Sequence, residues 1–589
     1  MYRMLFNRTQ RPLALLLAAC MLLCISCDAR PEDPSSGVSS AVVSEVSSEA
    51  VSESAVSSET VSSSEASETI EKGVERFTYT YSEEDEKGLR AQLAELNGML
   101  SDGCEFDSFN ELELAAEDAY THLATQASIA NLLHYMDLNS EEANENYLYS
   151  SGLQSDLGRE FILLYKRVYD SSLKEQFFAD WTEKDIEEML HLAETYTEKV
   201  VALLDQYDEI KVEYGGYDSE SESFAGDVAS LYHRQIDVLN QLAREMGYGD
   251  FYEYAYPNEY ERDYSLDQVA QFRMLVRKYL PRLIQAMSRD IDAKSAKFSA
   301  GEIRQLNSIL FGDMNRYQLG NRGKTFYEKI GGANEEIYLS SLLEEENFTL
   351  CDGSKSLEGA FTMYLEEYET PVIYYGPGYH NVFTFLHESG HYCAFVLSNE
   401  GSSDTADDMV SVSNDLCEIH SQGAEWLYLS MISGDYSEEL YEFIVEYRLF
   451  CDLTEVLFCT AIDAFEERCY KETPDPDEYD EIMKAVCDEL GGYDFLCSVM
   501  GMTPCEYWRL VTVENPVYYI SYPVSMLPSI ELFLKAQEDP DAAIGQYKAL
   551  FGPDCVEFLP TLENAGLSTP FEKDFYESVS AYINQKLLG

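Results

Sequence analysis

The sequence predicts a mainly α protein with one small β element placed directly before a strongly apolar helix. Three observations predict it. Apolar residues recur at helical spacing through most of the chain after residue 100. Glycines stand where those runs should end, at Gly247-Tyr248-Gly249, Gly331-Gly332 and Gly491-Gly492. A single short run, Pro371-Val372-Ile373-Tyr374-Tyr375, is β-branched and aromatic and is closed by Gly376-Pro377-Gly378.

Taken in order, the chain opens on an export signal, 1–26. Arg3, Arg8 and Arg11 precede an apolar run at 13–25 that is too short to span a bilayer as a mature helix. Cysteines stand at its end. Leu17-Ala18-Ala19-Cys20 resembles a bacterial lipobox, but cleavage there would leave Met21-Leu22-Leu23 at the new terminus. Cleavage before Cys27 uses the whole apolar run and leaves a polar start at Asp28, so Cys27 is the expected lipidation site and Cys20 the alternative. The anchor and tether are expected at 27–74. Residues 34–71 are mostly Ser, Glu, Val and Ala without an aromatic, which cannot bury a core. Such a segment reaches roughly 35 Å root-mean-square, enough to lift a domain off a membrane.

Residues 75–589 form the folded part, long enough for one large core or two lobes. The helical runs are 111–136, 157–169, 183–207, 227–246, 266–287, 438–462, 476–490 and 571–587. Fourteen cysteines in 589 residues are too sparse for a disulfide scaffold. A net charge of −68 argues against nucleic acid as a partner and against docking of the folded part on anionic lipid.

The chemistry concentrates in His387-Glu388-Ser389-Gly390-His391, within the apolar stretch 382–395 that follows the predicted strand. On a helix, residues four apart share a face, so His387 and His391 can grip one zinc ion. Glu388 beside them is placed to take a proton from water. Asn381 is a plausible N-cap for that helix. A third ligand is needed. In the segment 414–426, Asp415, Glu418, Gln422 and Glu425 would line one face of a second helix.

HExGH followed by this segment resembles the thimet oligopeptidase and oligoendopeptidase F family of zinc peptidases. In that family a second helix patterned Asp-x-x-Glu-x-Pro-Ser-Gln-x-x-Glu-x-Trp supplies the third ligand. Asp415, Glu418, Ser421, Gln422 and Glu425 fall in register with it. His420 replaces the family proline and Trp426 stands one residue early. The resemblance extends over about 240–530 and includes Arg262-Asp263-Tyr264, Phe272-Arg273 and the tyrosine segment 514–522.

That resemblance implies a fold of two helical lobes around a deep channel admitting short unfolded peptides. It implies one Zn²⁺ per chain on His387, His391 and Glu418, with Glu388 as the general base. Tyr522 and Tyr519 match the tyrosines that donate to the oxyanion, and Asp415 or Glu425 would orient a ligating imidazole. Residues 371–375 match the family's edge strand, to which substrate backbone adds, making Tyr374, Tyr375, Gly376 and Tyr518 substrate-binding candidates. Family members carry a histidine shortly before the tyrosines, whereas this chain has none after His420. The expected protein is a monomeric zinc endopeptidase of oligopeptides, lipid-anchored at the outer face of a bacterial cell membrane. The competing expectation is a surface lipoprotein that keeps the metal site and binds peptides without cutting them.

Overall fold

The computed structural model describes residues 72–179, 181–215, 217, 221–353, 355–399, 412–500 and 502–588. The signal, Cys20, Cys27 and the tether through residue 71 lie outside the described residues. Among the described residues no helix is long and apolar enough to cross a membrane.

The fold is mainly helical, with a single three-stranded sheet among the described residues. The helices that frame the functional region are α1 (Glu83–Asp102), α2 (Phe106–Met136), α3 (Glu141–Tyr169), α4 (Val382–Asn399), α5 (Asn414–Met431), α6 (Glu438–Glu472) and α7 (Ser521–Ala536). The glycine punctuation acts as expected. Gly247, Gly331 and Gly491 adopt φ of 88°, 67° and 122°, a region that L side chains avoid, at or just beyond helix ends. The predicted helix 183–207 is broken into Glu183–Thr195 and Glu198–Gly215.

The strands are β1 (Phe348–Leu350), β2 (Ala360–Leu365) and β3 (Thr370–Tyr375), in spatial order β1-β3-β2. β1 pairs with β3 in parallel, and β2 pairs with it antiparallel, Thr362 opposite Ile373. β3, the strand read from the sequence, is therefore the middle strand and not an edge. This corrects the family-derived expectation: its two backbone sides are already used by β1 and β2, so no substrate strand can add there. The free edge nearest α4 belongs to β2.

The sheet sits between two cores because its side chains alternate. Val372 and Tyr374, with Phe361, Met363 and Leu365, pack against Ile129, Leu132 and Tyr135 of α2. Ile373, Tyr375 and Ala360 face the other way, into the main core with Phe385 and Leu386 of α4. The N-terminal helices have a further core of their own, around Leu89, Leu93, Phe109, Tyr120, Leu157 and Phe161. Two helical lobes thus meet at one sheet, and the HExGH helix packs on its inner face.

Candidate active site

Asn381 starts α4 as its composition suggests. Its Oδ1 accepts from the backbone N–H of Thr384 at 3.0 Å and of Phe383 at 3.1 Å, satisfying donors that a helix start leaves open. His387 and His391 then share a face, ring centroids 5.0 Å apart. α5 crosses closely enough that a Cβ on Gly390 would lie 2.4 Å from the carbonyl oxygen of His420. Glycine at that position is a packing requirement: the motif's small residue brings Glu418 to the histidines.

The approach puts Glu418 Oε2 3.7 Å from His387 Nε2 and 4.0 Å from His391 Nε2. Ligand atoms of the three residues all lie within 4.8 Å of one another, the one such group among the described residues. Zinc bonds of about 2.0–2.2 Å place tetrahedral ligand atoms roughly 3.4 Å apart, so the group needs little adjustment to hold the ion. Two further facts fit a cation. His387 Nε2 is buried without a hydrogen-bond partner, while its Nδ1 lies 2.9 Å from Glu425 Oε1, which fixes the free nitrogen toward the cluster. Three buried carboxyls, Glu388, Glu418 and Glu425, crowd two imidazoles, and Arg448 Nη2 balances one of them by donating to Glu425 Oε2 at 3.0 Å.

The same crowding governs protonation. Burial works against charge on His387, but the hydrogen bond to Glu425 and the fields of Glu388 and Glu418 win and raise its pKa. Burial, with His387 and His420 nearby, drives His391 well below its ordinary value. Glu418 and Glu388 are both raised, chiefly by burial. Where protons now compensate buried carboxylates, a divalent cation can do so instead.

Glu388 is oriented from the sheet. Thr362 Oγ1, on β2, donates to Glu388 Oε2 at 2.8 Å and lies 3.1 Å from its backbone oxygen. Glu418 is oriented by Ser421 Oγ at 3.2 Å from Oε2 and by the Tyr518 hydroxyl, which donates to Oε1 at 3.4 Å. Tyr522 is buried, its ring edge-on to Tyr518 with centroids 5.4 Å apart, and its hydroxyl has no hydrogen-bond partner.

The structure brings together His387, Glu388, His391, Glu418, Glu425, Tyr518 and Tyr522, with the ring of Tyr519 packed on those of Tyr522 and Tyr518 at 5.7 and 6.1 Å. Other expected site residues lie elsewhere. Asp415 faces away from the imidazoles, its Oδ2 3.8 Å from Arg262 Nε, so Glu425 alone of the two acids orients a histidine. Tyr374 donates to the carbonyls of Tyr135 and Leu357 on the outer face of the sheet, and Tyr375 to that of Phe385. Both tyrosines are fully buried structural residues. Gly376 is held by its N–H to Gly359 O, and a Cβ there would lie 1.9 Å from Leu357 O, so its role is the close turn. His420 is also structural: its Nε2 donates to Leu550 O at 2.8 Å, and burial lowers its pKa to about 4.

Sequence reasoning missed Thr362 and Arg448, and named Arg262 within the family resemblance without giving it a role. The alternation of Phe361, Thr362 and Met363 was a readable strand signal. Arg448 and Arg262 reach the site only through tertiary contacts.

No protein-family model matches the sequence, and no curated protein matches it. Solved structures do match in fold. PZ peptidase A with an inhibitor superimposes with a TM-score of 0.68 at 18% identity, covering 87% of this chain and 99% of its own. A Bacillus anthracis str. Ames protein assigned as oligoendopeptidase F gives 0.68 at 16% identity over 88% of this chain and 98% of its own. Oligoendopeptidase-F from Enterococcus faecium gives 0.52 at 14% over 86% and 96%. The chain has the oligoendopeptidase F fold.

Proposed function

We propose that the protein is a zinc-dependent endopeptidase of the oligopeptidase type. The observation that carries this reading is the convergence of His387, His391 and Glu418 within 4.8 Å, with Glu388 oriented beside them by Thr362. His387, His391 and Glu418 would hold Zn²⁺, which when bound supplies a Lewis acid for the scissile carbonyl and makes water acidic enough to attack at neutral pH. Glu388 takes the proton of the attacking water and returns it to the leaving amine. Its burial, which raises its pKa, suits both halves of that task. Tyr522, whose buried hydroxyl lies beside that of Tyr518, donates to the developing oxyanion. Tyr518 and Ser421 hold Glu418, and Glu425 holds His387 in the tautomer that frees Nε2.

The substrate is an extended, unfolded peptide. His387, Glu388 and Glu418 are only 2–3% exposed, which excludes a folded protein surface from the reacting atoms. The free edge of β2 offers backbone groups for pairing with a peptide strand next to Glu388, without demanding a particular side chain. The export signal and the Ser/Glu tether support placing this activity on a lipid-anchored monomer outside the cell membrane.

Two experiments test the reading. Purified protein loaded with zinc is incubated with a quenched fluorescent peptide library. Turnover that Glu388→Gln removes supports the peptidase, and stoichiometric zinc without turnover instead supports a peptide-binding lipoprotein. For location, Cys27→Ala should abolish incorporation of labelled fatty acid and release the protein from the membrane fraction. Label retained in that variant would transfer the anchor to Cys20.

A further inference from the structure

We infer that Arg262 is a positioning residue that sets the tyrosine half of the site against its metal half, an inference resting on the peptidase reading above. Its guanidinium is buried and spreads its donors across one turn of chain. Nη1 donates to Val517 O at 3.0 Å. Nη2 donates to Tyr518 O at 3.1 Å and to Ser521 Oγ at 3.0 Å. On its other side Nε faces Asp415 Oδ2 at 3.8 Å, one turn before Glu418 on α5. One planar group therefore touches both the helix that carries Glu418 and the segment that carries Tyr518 and Tyr522.

The fork is itself held in place. The rings of Tyr256 and Tyr260 lie 4.5 and 4.4 Å from the guanidinium carbon. The Tyr260 hydroxyl donates to Pro516 O at 2.6 Å, and its ring packs on that of Tyr518 at 5.6 Å.

What the fork holds is strained. Val517 has φ of 62°, a left-handed conformation that β-branched residues rarely adopt. Its N–H is taken by Glu466 Oε1 at 2.9 Å and its C=O by Arg262. Glu466 comes from α6 and Arg262 from a loop about 250 residues upstream, so the strain is imposed by tertiary contacts. The turn at Val517 directs Tyr518 toward Glu418 and starts α7 with Tyr522 on the same side. Released from the fork, Val517 would relax to an ordinary φ and carry the Tyr522 hydroxyl away, while Ser421 still holds Glu418. Lysine cannot substitute, because a point charge has no planar fork to engage two carbonyls and a hydroxyl.

The test compares wild type, Arg262→Lys and Ser521→Ala, each with and without Tyr522→Phe. The measurements are zinc content, kcat and KM on the quenched peptide, and amide hydrogen exchange of residues 515–522 in the metal-free protein. Arg262→Lys should bind zinc as wild type does and lose about 10²-fold in kcat with little change in KM. Exchange at 515–522 should rise about tenfold while α4 and α5 stay protected. In the Tyr522→Phe background the kcat loss should largely vanish, since the fork acts through that hydroxyl. Undiminished kcat with zinc bound, losses that simply multiply, or unchanged exchange at 515–522 would each overturn the inference. If Arg262→Lys does not fold, Ser521→Ala removes one fork partner without disturbing the charge and carries the same comparison. Absence of turnover in wild type would count against the peptidase reading, and the exchange measurement would still decide the fork.

Discussion

The His/His/Glu half and the tyrosine half of the candidate site are built by opposite means. His387, His391 and Glu418 sit inside regular helices, where a four-residue spacing and one glycine place them almost automatically. Tyr518 and Tyr522 follow a left-handed valine in an irregular turn, held by Arg262 and Glu466 from distant parts of the chain. The first half is local geometry brought together by a single helix crossing. The second is a conformation the segment would not adopt alone. Their tolerance to change should differ accordingly, and four measurements would sharpen or break that contrast.

The largest effect is expected among the tyrosines. Tyr522→Phe should cost about 10²–10³-fold in kcat while zinc content is unchanged, as for loss of one oxyanion donor. Tyr519→Phe, whose ring packs on Tyr522, Tyr518 and Tyr507, should leave kcat within about threefold by the same criterion. Equal losses would erase the distinction between the two side chains.

On the metal side, Glu425→Gln should weaken zinc binding by about 10–100-fold in a competitive chelator titration. The amide cannot hold the His387 Nδ1–H with a charged acceptor and leaves Arg448 short of a partner. Affinity within a factor of two would mean that the pair is only structural.

Gly390→Ala tests the helix crossing itself. With a Cβ 2.4 Å from His420 O, α4 and α5 must separate, at a cost of about 1–3 kcal/mol in urea unfolding. An unchanged midpoint would show that the helices can slide apart freely.

The smallest effect concerns Glu455 of α6. Burial, with Asp452 next, raises its pKa to about 8 in the folded protein, above the unfolded value of 4.5. The native state therefore holds this proton more tightly than the unfolded state. That contribution to stability is complete below about pH 4.5 and is lost as pH rises through about 8. Glu455→Gln, which cannot ionise, should gain stability relative to wild type across that window in denaturation curves run at several pH values. A pH-independent difference would place the charge elsewhere.

Legibility followed the same division. Helical periodicity, the Asn381 cap and the shared face of His387 and His391 were readable because each depends on neighbours within a turn or two, whereas Glu418 and Glu425 were placed in register by the family resemblance. The strand at 371–375 was readable as a strand, but its place in the middle of the sheet was not. Pairing partners at 348–350 and 360–365 decide that, and a strand's own residues do not name them. Tyr374 and Tyr375 were assigned to substrate on that mistaken edge and are core residues. Asp415 and Glu425 stood equally well on one helix face. Only the directions of neighbouring segments gave Glu425 to His387 and Asp415 to Arg262.

By itself, the sequence determined the helical class and the pairing of His387 and His391 beside Glu388, since these are properties of spacing along a helix, while Glu418 was named through the family resemblance. The tertiary structure decided which tyrosine hydroxyl reaches Glu418, which strand edge stays open and which arginine binds the halves together. Those depend on contacts between residues a hundred or more positions apart, where packing and the pairing of buried polar groups select one arrangement that no local pattern encodes.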